Sequence, residues 1–207
     1  AGATAVRAEQ LGTLHRLAHE WFIAERTGEL LEAAAASVRA LPPEHLAVRL
    51  VEVVREDYDK ARRVPPELVA ALARTESEAR EAWKQARQEN HYAVFAPYLE
   101  RLLALNREKA EALGYEKHPY DALLDQYEPG MTTEAVRVLF EQLRAELVPL
   151  VRALADQPQP EAAFLHRYVE PERQWALNRM VLEAIGFDLQ RGRLDASVHP
   201  FSTGTCG

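Results

Sequence analysis

Two stretches of this chain carry residue types whose spacing could support chemistry. The first is His15-Arg16-Leu17-Ala18-His19-Glu20, with two histidines four residues apart. On a helix that spacing places both imidazoles on one face, where they could clasp a single metal ion. It is not the H-E-x-x-H arrangement, because Arg16 occupies the position that would supply the general base. No third ligand announces itself, so the pair lacks a complete zinc shell. The simpler reading is two partly exposed histidines flanking a hydrophobic stripe. The second stretch is His199-Pro200-Phe201. The proline restricts His199 to extended conformations and so holds the direction of its imidazole, while Phe201 adds an apolar surface beside it. That combination suits the rigid wall of a pocket, with a donor for a carboxylate or carbonyl. As a bare tripeptide it fits a loop packed on a core equally well.

The other candidates are weaker. His45, His91, His118 and His166 are isolated and read as surface or hydrogen-bonded groups. The acidic pairs Glu56-Asp57 and Glu170/Glu172 are adjacent or two apart, so neither pair shares a helical face, and both read as solvated charge. Ser202 and Thr203 have no base beside them except His199, and no G-x-S-x-G signature is present. Cys206 reads as an incidental thiol, since nothing near it in sequence would lower its pKa.

The composition bounds the class. A chain of 207 residues buries roughly 70% of its unfolded surface, enough for one sizeable core. Hydrophobic residues at 47% and charged residues at 28% suit a soluble globular protein. A net charge of −7 argues against nucleic-acid and anionic-membrane partners, which need a basic footprint. No apolar run approaches the roughly 18 residues of a membrane span, and no leader pattern opens the sequence. A single cysteine excludes an internal disulfide framework and agrees with a reducing, cytoplasmic setting. Arginine greatly outnumbers lysine, and Asn, Met and Cys are scarce, a bias expected of a thermophile or a GC-rich genome.

The elements that must position these residues are helical nearly throughout. Leu11, Leu14, Leu17, Ala18, Trp21 and Phe22 fall on one apolar face, with Thr4 as a cap and Gly28 as a stop. Leu30 to Val38 continues as a second helix, ended by Pro42-Pro43. A third runs from about Glu44 to Arg63 and turns Leu50, Val51, Val54 and Tyr58 inward. Pro65-Pro66 opens a long fourth helix expected to reach Phe95, and Leu99 to Leu105 form another stripe ending at Gly114. Residues 115–131 read as irregular. Thr132 or Thr133 caps a helix carried by Leu139, Leu143, Leu147, Leu150 and Leu154, which Pro149 should kink. Pro171 then opens a last helix that Gly186 closes. The expected organisation is one all-α unit: a scaffold over 1–155, a linker over 156–170, a helix over 171–186, and loop or short strands over 187–207.

Several ordered blocks of the sequence are similar to a known family. Arg55-Glu56-Asp57-Tyr58 with Val64-Pro65-Pro66-Glu67-Leu68-Val69 resembles R-x-x-Y…V-P-x-x-L-V. Trp83-Lys84-Gln85-Ala86-Arg87 with Phe95-Ala96-Pro97-Tyr98-Leu99 resembles W-x-x-A-R…F-x-P-x-L. The most specific block is Pro119-Tyr120-Asp121-Ala122-Leu123-Leu124-Asp125-Gln126-Tyr127-Glu128-Pro129-Gly130-Met131. Ile185-Gly186-Phe187-Asp188, Gly192-Arg193-Leu194-Asp195-Ala196-Ser197 and His199-Pro200-Phe201 complete an I-G-F-D…G-R-L-D-x-S-x-H-P-F run. The chain thereby resembles the carboxypeptidase Taq family of metallocarboxypeptidases.

That resemblance implies a mostly helical, groove-bearing enzyme, commonly a homodimer, that removes C-terminal amino acids from peptides with broad specificity. It implies zinc or cobalt held by two histidines and a glutamate, with a second glutamate activating water. Of the family's motifs only H-P-F falls within these residues, so His199, Pro200 and Phe201 are expected near the substrate groove. The D-x-R-x-T motif, the H-E-x-x-H helix and the later glutamate ligand are missing, so no catalytic or metal residue is assigned. Residues 1–207 are therefore expected to be an N-terminal, groove-lining portion, inactive alone. The alternative is a truncated, non-catalytic helical module for binding or dimerisation. If helices of a missing half pack here, apolar Leu, Trp and Phe surface should be exposed and should bind a hydrophobic dye or self-associate.

Overall fold

The computed structural model describes residues 2–158 and 161–196. It is all-α, with no strand among the described residues. Eight helices follow in order: α1 (Gly2–Phe22), α2 (Glu25–Val38), α3 (Leu46–Ala61), α4 (Pro66–Gln88), α5 (Ala96–Leu113), α6 (Pro119–Leu124), α7 (Thr133–Ala155) and α8 (Pro171–Ala184). Short 3-10 turns occupy Tyr92–Val94 and Ala163–His166. The chain divides into two compact units, Ala1–Gln142 and Leu143–Gly207, with the boundary inside α7.

In the first unit α4 is the hub, packed by α1, α5 and the Tyr92–Val94 turn, while α2 lies on α3 and α6 on α5. Pro66 suits the first turn of α4, where its missing N–H costs nothing. Its buried face is mostly small: Ala70, Ala73, Thr75, Ala79, Ala82 and Ala86, with Leu68 and Leu72 at the larger end. Small side chains let a neighbouring helix approach closely. α1 answers with buried Ala8 and with Gly12, whose added Cβ would lie 2.7 Å from Arg74 Cγ. The larger apolar cluster sits at the N-terminal end of α4, where Val64, Leu68 and Leu72 meet Ala110, Leu113 and Ala122.

This packing overturns the inward face expected for α1. At 100° per residue, Ala8, Gly12 and His19 share one side, and Val6, Leu14, Leu17 and Trp21 share the opposite one. The second set is exposed, Trp21 at 76%. Thr4 lies inside α1 and Gly28 inside α2, so neither punctuates a helix. Gly28 instead makes room for Tyr58, whose hydroxyl would stand 2.7 Å from an added Cβ. Of the residues expected inward on α3, Tyr58 is buried and Leu50 is 60% exposed. Tyr58 closes the α1–α2 corner: its hydroxyl donates to the Ala24 carbonyl at 3.3 Å and its ring meets Phe22 edge-on.

The fourth helix stops at Gln88, short of Phe95, and Asn90 turns the chain with a positive φ of 49°. A six-residue helix, α6, occupies part of the stretch expected to be irregular. Thr132 does cap α7, its hydroxyl accepting from Ala135 N at 3.2 Å, and α7 continues through Pro149 to Ala155.

The second unit is organised differently. None of its described residues is buried, and Leu143, Leu147, Leu150 and Leu154 of α7 are each about half exposed. After Gly186 the chain makes a compact turn in which Gly192 N donates to the Asp188 carbonyl at 2.9 Å. A Cβ on Gly192 would run into the Phe187 ring, which accounts for the glycine in that block. Residues 187–196 form this irregular turn without strands.

Candidate functional site

His199, Pro200 and Phe201 lie outside the described residues, as do Ser202, Thr203 and Cys206. The structure does place the histidine pair. His15 is exposed, whereas His19 Nε2 lies 2.8 Å from the Val64 carbonyl oxygen. A carbonyl only accepts, so Nε2 carries the proton and is committed to fastening α1 to the α3–α4 corner. Among the described residues no three His, Cys, Asp or Glu side chains gather as a metal shell. The described residues therefore offer no donor set that fits zinc or cobalt. His45 and His118 prove to be helix caps, each Nδ1 accepting at 3.1 Å, from Ala47 N and Tyr120 N respectively.

His19 borders an open groove of about 1380 Å³ in the first unit. Its walls come from the end of α3, the start of α4, the end of α5, α6 and the loop into α7. The α3–α4 corner is held against the end of α5 by Arg63 Nη1, which donates to the Leu113 carbonyl at 2.9 Å. Gly114 lets the chain leave α5 at once, with φ 81°. The lining mixes apolar side chains such as Val53, Val69 and Met131 with a cross-linked polar cluster. Lys60 Nζ sits 2.5 Å from Glu56 Oε1 and 2.5 Å from Asp125 Oδ2. Asp125 also accepts from Gly130 N at 2.8 Å, across a turn that Gly130 makes with φ 78°. Asp121 Oδ1 accepts from the Thr133 amide at 2.6 Å and from its hydroxyl at 2.5 Å. α6 thus ties α3 to the start of α7.

These bonds set the protonation of the groove. Burial opposes the charge of Lys60, but hydrogen bonds to Asp125 and Glu56 outweigh it and hold the ammonium above its ordinary range. The Gly130 amide and Lys60 lower Asp125, and the Thr133 hydroxyl and amide lower Asp121. Lys109 on α5 goes the other way, lowered by burial despite Glu76 nearby. The result is an open surface carrying an ion-paired cluster that can meet polar groups. Thr133 Oγ1 lies 3.5 Å from His118 Nδ1, but that nitrogen accepts from the Tyr120 amide and the hydroxyl donates to Asp121.

Sequence reasoning passed over Lys60, Asp121 and Asp125 as functional-site residues. Asp121 and Asp125 stand four apart inside the most specific block, a spacing that shares a helix face. Glu56, read as solvated charge, is half of the Lys60 clasp.

A helical scaffold around an open groove defines the class: an all-α, groove-bearing protein. The whole sequence places it further. Residues 1–206 match the carboxypeptidase Taq (M32) metallopeptidase family, and the chain belongs to it. Thermostable carboxypeptidase 1 of Thermus thermophilus is 40% identical over 208 residues, covering 94% of this chain and 40% of that protein. Carboxypeptidase 1 of Bacillus subtilis is 32% identical, covering 95% and 39%. The BsuCP crystal structure superposes with a TM-score of 0.90 at 30% identity, covering 98% of this chain and 41% of that one. Pyrococcus furiosus carboxypeptidase gives 0.71 at 34% identity, covering 93% and 39%. The chain spans about 40% of the length of the curated relatives it matches. No helix of the described residues is long and apolar enough to cross a membrane.

Proposed function

We propose that this chain is the groove-lining, helical portion of a metal-dependent carboxypeptidase that releases C-terminal amino acids from peptides with broad specificity. The family match over residues 1–206, set beside a span of about 40% of the relatives' length, supports that reading. In it, residues 1–155 are scaffold, 156–170 a linker, 171–186 a helix, and 187–207 the approach to the catalytic centre. His199, Pro200 and Phe201 stand near the substrate groove. The metal of the full-length enzyme, zinc or cobalt, would supply Lewis-acid polarisation and a water nucleophile, and no described residue of this chain is assigned to hold it. The working enzyme is cytoplasmic and a homodimer. The 207 residues alone are inactive, because the H-E-x-x-H motif is absent. The test is a peptide-release assay on a homogeneous chain of verified mass, with zinc or cobalt added. No release is expected; metal-dependent release would overturn the reading and return attention to His15 and His19.

A second reading, a non-catalytic helical module for binding or dimerisation, is favoured by the exposed leucines of α7 and the exposed face of α1. It predicts saturable self-association or hydrophobic-dye binding by a chain that never gains peptidase activity when the catalytic part of a relative is supplied. Activity restored by that addition would remove it.

A further inference from the structure

The second compact unit contains helices yet buries none of its described residues. A helix of α8's 14 residues is marginal in water unless one of its faces is packed. Among the described residues no other helix packs extensively along α7 or α8. Within this unit Leu143, Leu147 and Leu150 follow one another along α7 at spacings of four and three. At 100° per residue they fill a stripe about 60° wide, and Val151 widens it to about 100°. Between residues 143 and 151 every position inside that arc is apolar, and Pro149 lies across the helix from it. The four side chains are between 45% and 55% exposed.

Two occupants suit an apolar helix face: the same helix of a second copy, or the interior of a larger fold. A two-helix zipper buries only the narrow leucine seam and carries charge beside it. Val151 stands at one of those flanking positions, and an arc of about 100° is the width that a helix turns toward a domain core. The BsuCP structure, matched along nearly this whole chain, has most of its own length outside the match. The same helical arrangement therefore occurs in a chain with enough further polypeptide to cover the arc. We propose that the α7 arc of Leu143, Leu147, Leu150 and Val151 is the interaction surface for the helical remainder of the enzyme. The partner presents apolar side chains from more than one helix, because a single helix covers only the narrower seam. The proposal rests on the carboxypeptidase reading given above.

The probe is a hybrid in which this chain replaces the portion of Bacillus subtilis carboxypeptidase 1 that it matches. Leu147→Cys reports on the arc and Ala145→Cys on the opposite side of α7, with maleimide labelling of each position read by peptide mass spectrometry. Both positions should label rapidly in the 207-residue chain. In the hybrid, position 147 should slow roughly tenfold or more while position 145 is unchanged, because a covered thiol is inaccessible. Equal labelling of position 147 in chain and hybrid overturns the proposal. So does protection in the chain alone that grows with its concentration, which assigns the arc to a second copy. Labelling is separate from peptide release. A protected but inactive hybrid keeps the surface and fails the catalytic reading, whereas an active hybrid with a reactive position 147 does the reverse. Should the hybrid not fold, the chain alone decides: a monomer reactive at position 147 at every concentration upholds the proposal, and concentration-dependent protection overturns it.

Discussion

The two compact units dispose of their apolar side chains in opposite ways. The first buries Val64, Leu68, Leu72 and Leu113 around α4 and Tyr58 at the α1–α2 corner. The second presents Leu150, Leu154, Phe164, Met180 and Ile185 to solvent and buries none of its described residues. Helical period is strong in both, so amphipathicity identifies helices without saying what they pack on. The stability carried by the tertiary contacts of the first unit therefore has no counterpart in the described residues of the second.

Truncations to alanine probe that contrast most strongly. Tyr58→Ala removes a buried ring, its bond to Ala24 and its contact with Phe22, and should cost about 3–5 kcal/mol in urea unfolding. Leu154→Ala removes a side chain 58% exposed and should change stability by no more than about 0.5 kcal/mol. Equal losses would mean that α7 is packed in solution and would break the comparison.

Gly28→Ala sharpens it. Alanine improves intrinsic helix propensity by about 1 kcal/mol. The added methyl, however, meets the hydroxyl of a buried tyrosine that cannot swing aside, and overpacking costs about 1–3 kcal/mol. A net loss of stability is expected. A gain in melting temperature would show that the α2–α3 corner yields.

The α6 clasp gives the first unit a pH dependence. Asp121 and Asp125 have folded pKa values below their ordinary ones, so the unfolded chain binds more protons in acid. Their contribution is present above the unfolded value of 3.8 and is lost as pH falls through the lower folded values. Lys60 is raised, so its contribution is complete below 10.5 and is lost as pH rises through its higher folded value. Asp125→Asn should flatten the acid limb measured by denaturant midpoints between neutral pH and pH values below 3.8. An unaltered acid limb would mean that the clasp contributes nothing to folding.

Much of this was legible in the sequence, and what was not has physical causes. Pro66, Pro171 and Gly114 mark helix ends through φ and N–H constraints that act locally. On α1, Leu14, Leu17 and Trp21 carry the stronger apolar period, while the packed side is that of Ala8 and Gly12. Close helix approach rewards small residues, which hydrophobicity undervalues. α6 has too few residues for any period to show. The end of α4 has no proline, and the turn at Asn90 rests on a positive φ that asparagine tolerates. In the groove, Asp121 and Asp125 were visible as a helical pair, but Lys60 and Thr133 reach them only once the chain has folded.

The smallest effect expected concerns Thr75, in the hub helix and fully buried, with a hydroxyl that has no hydrogen-bond partner. Folding strips that hydroxyl of water without returning a bond, a loss of about 1–3 kcal/mol for a buried polar group. Valine keeps the β-branched shape and removes the polar atom. Helix propensities of the two residues are close, so the backbone term is nearly constant. Thr75→Val should therefore be neutral or stabilising by up to about 1 kcal/mol in denaturant unfolding, discounted from the full loss because the fit of a methyl differs from that of a hydroxyl. Comparable substitution of an exposed threonine such as Thr13, whose hydroxyl donates to the Glu9 carbonyl at 2.9 Å, should show no gain. Destabilisation by Thr75→Val would mean that the hydroxyl has a partner in solution, an ordered water between helices, and that the small-residue face of α4 is less tightly closed than its alanines suggest.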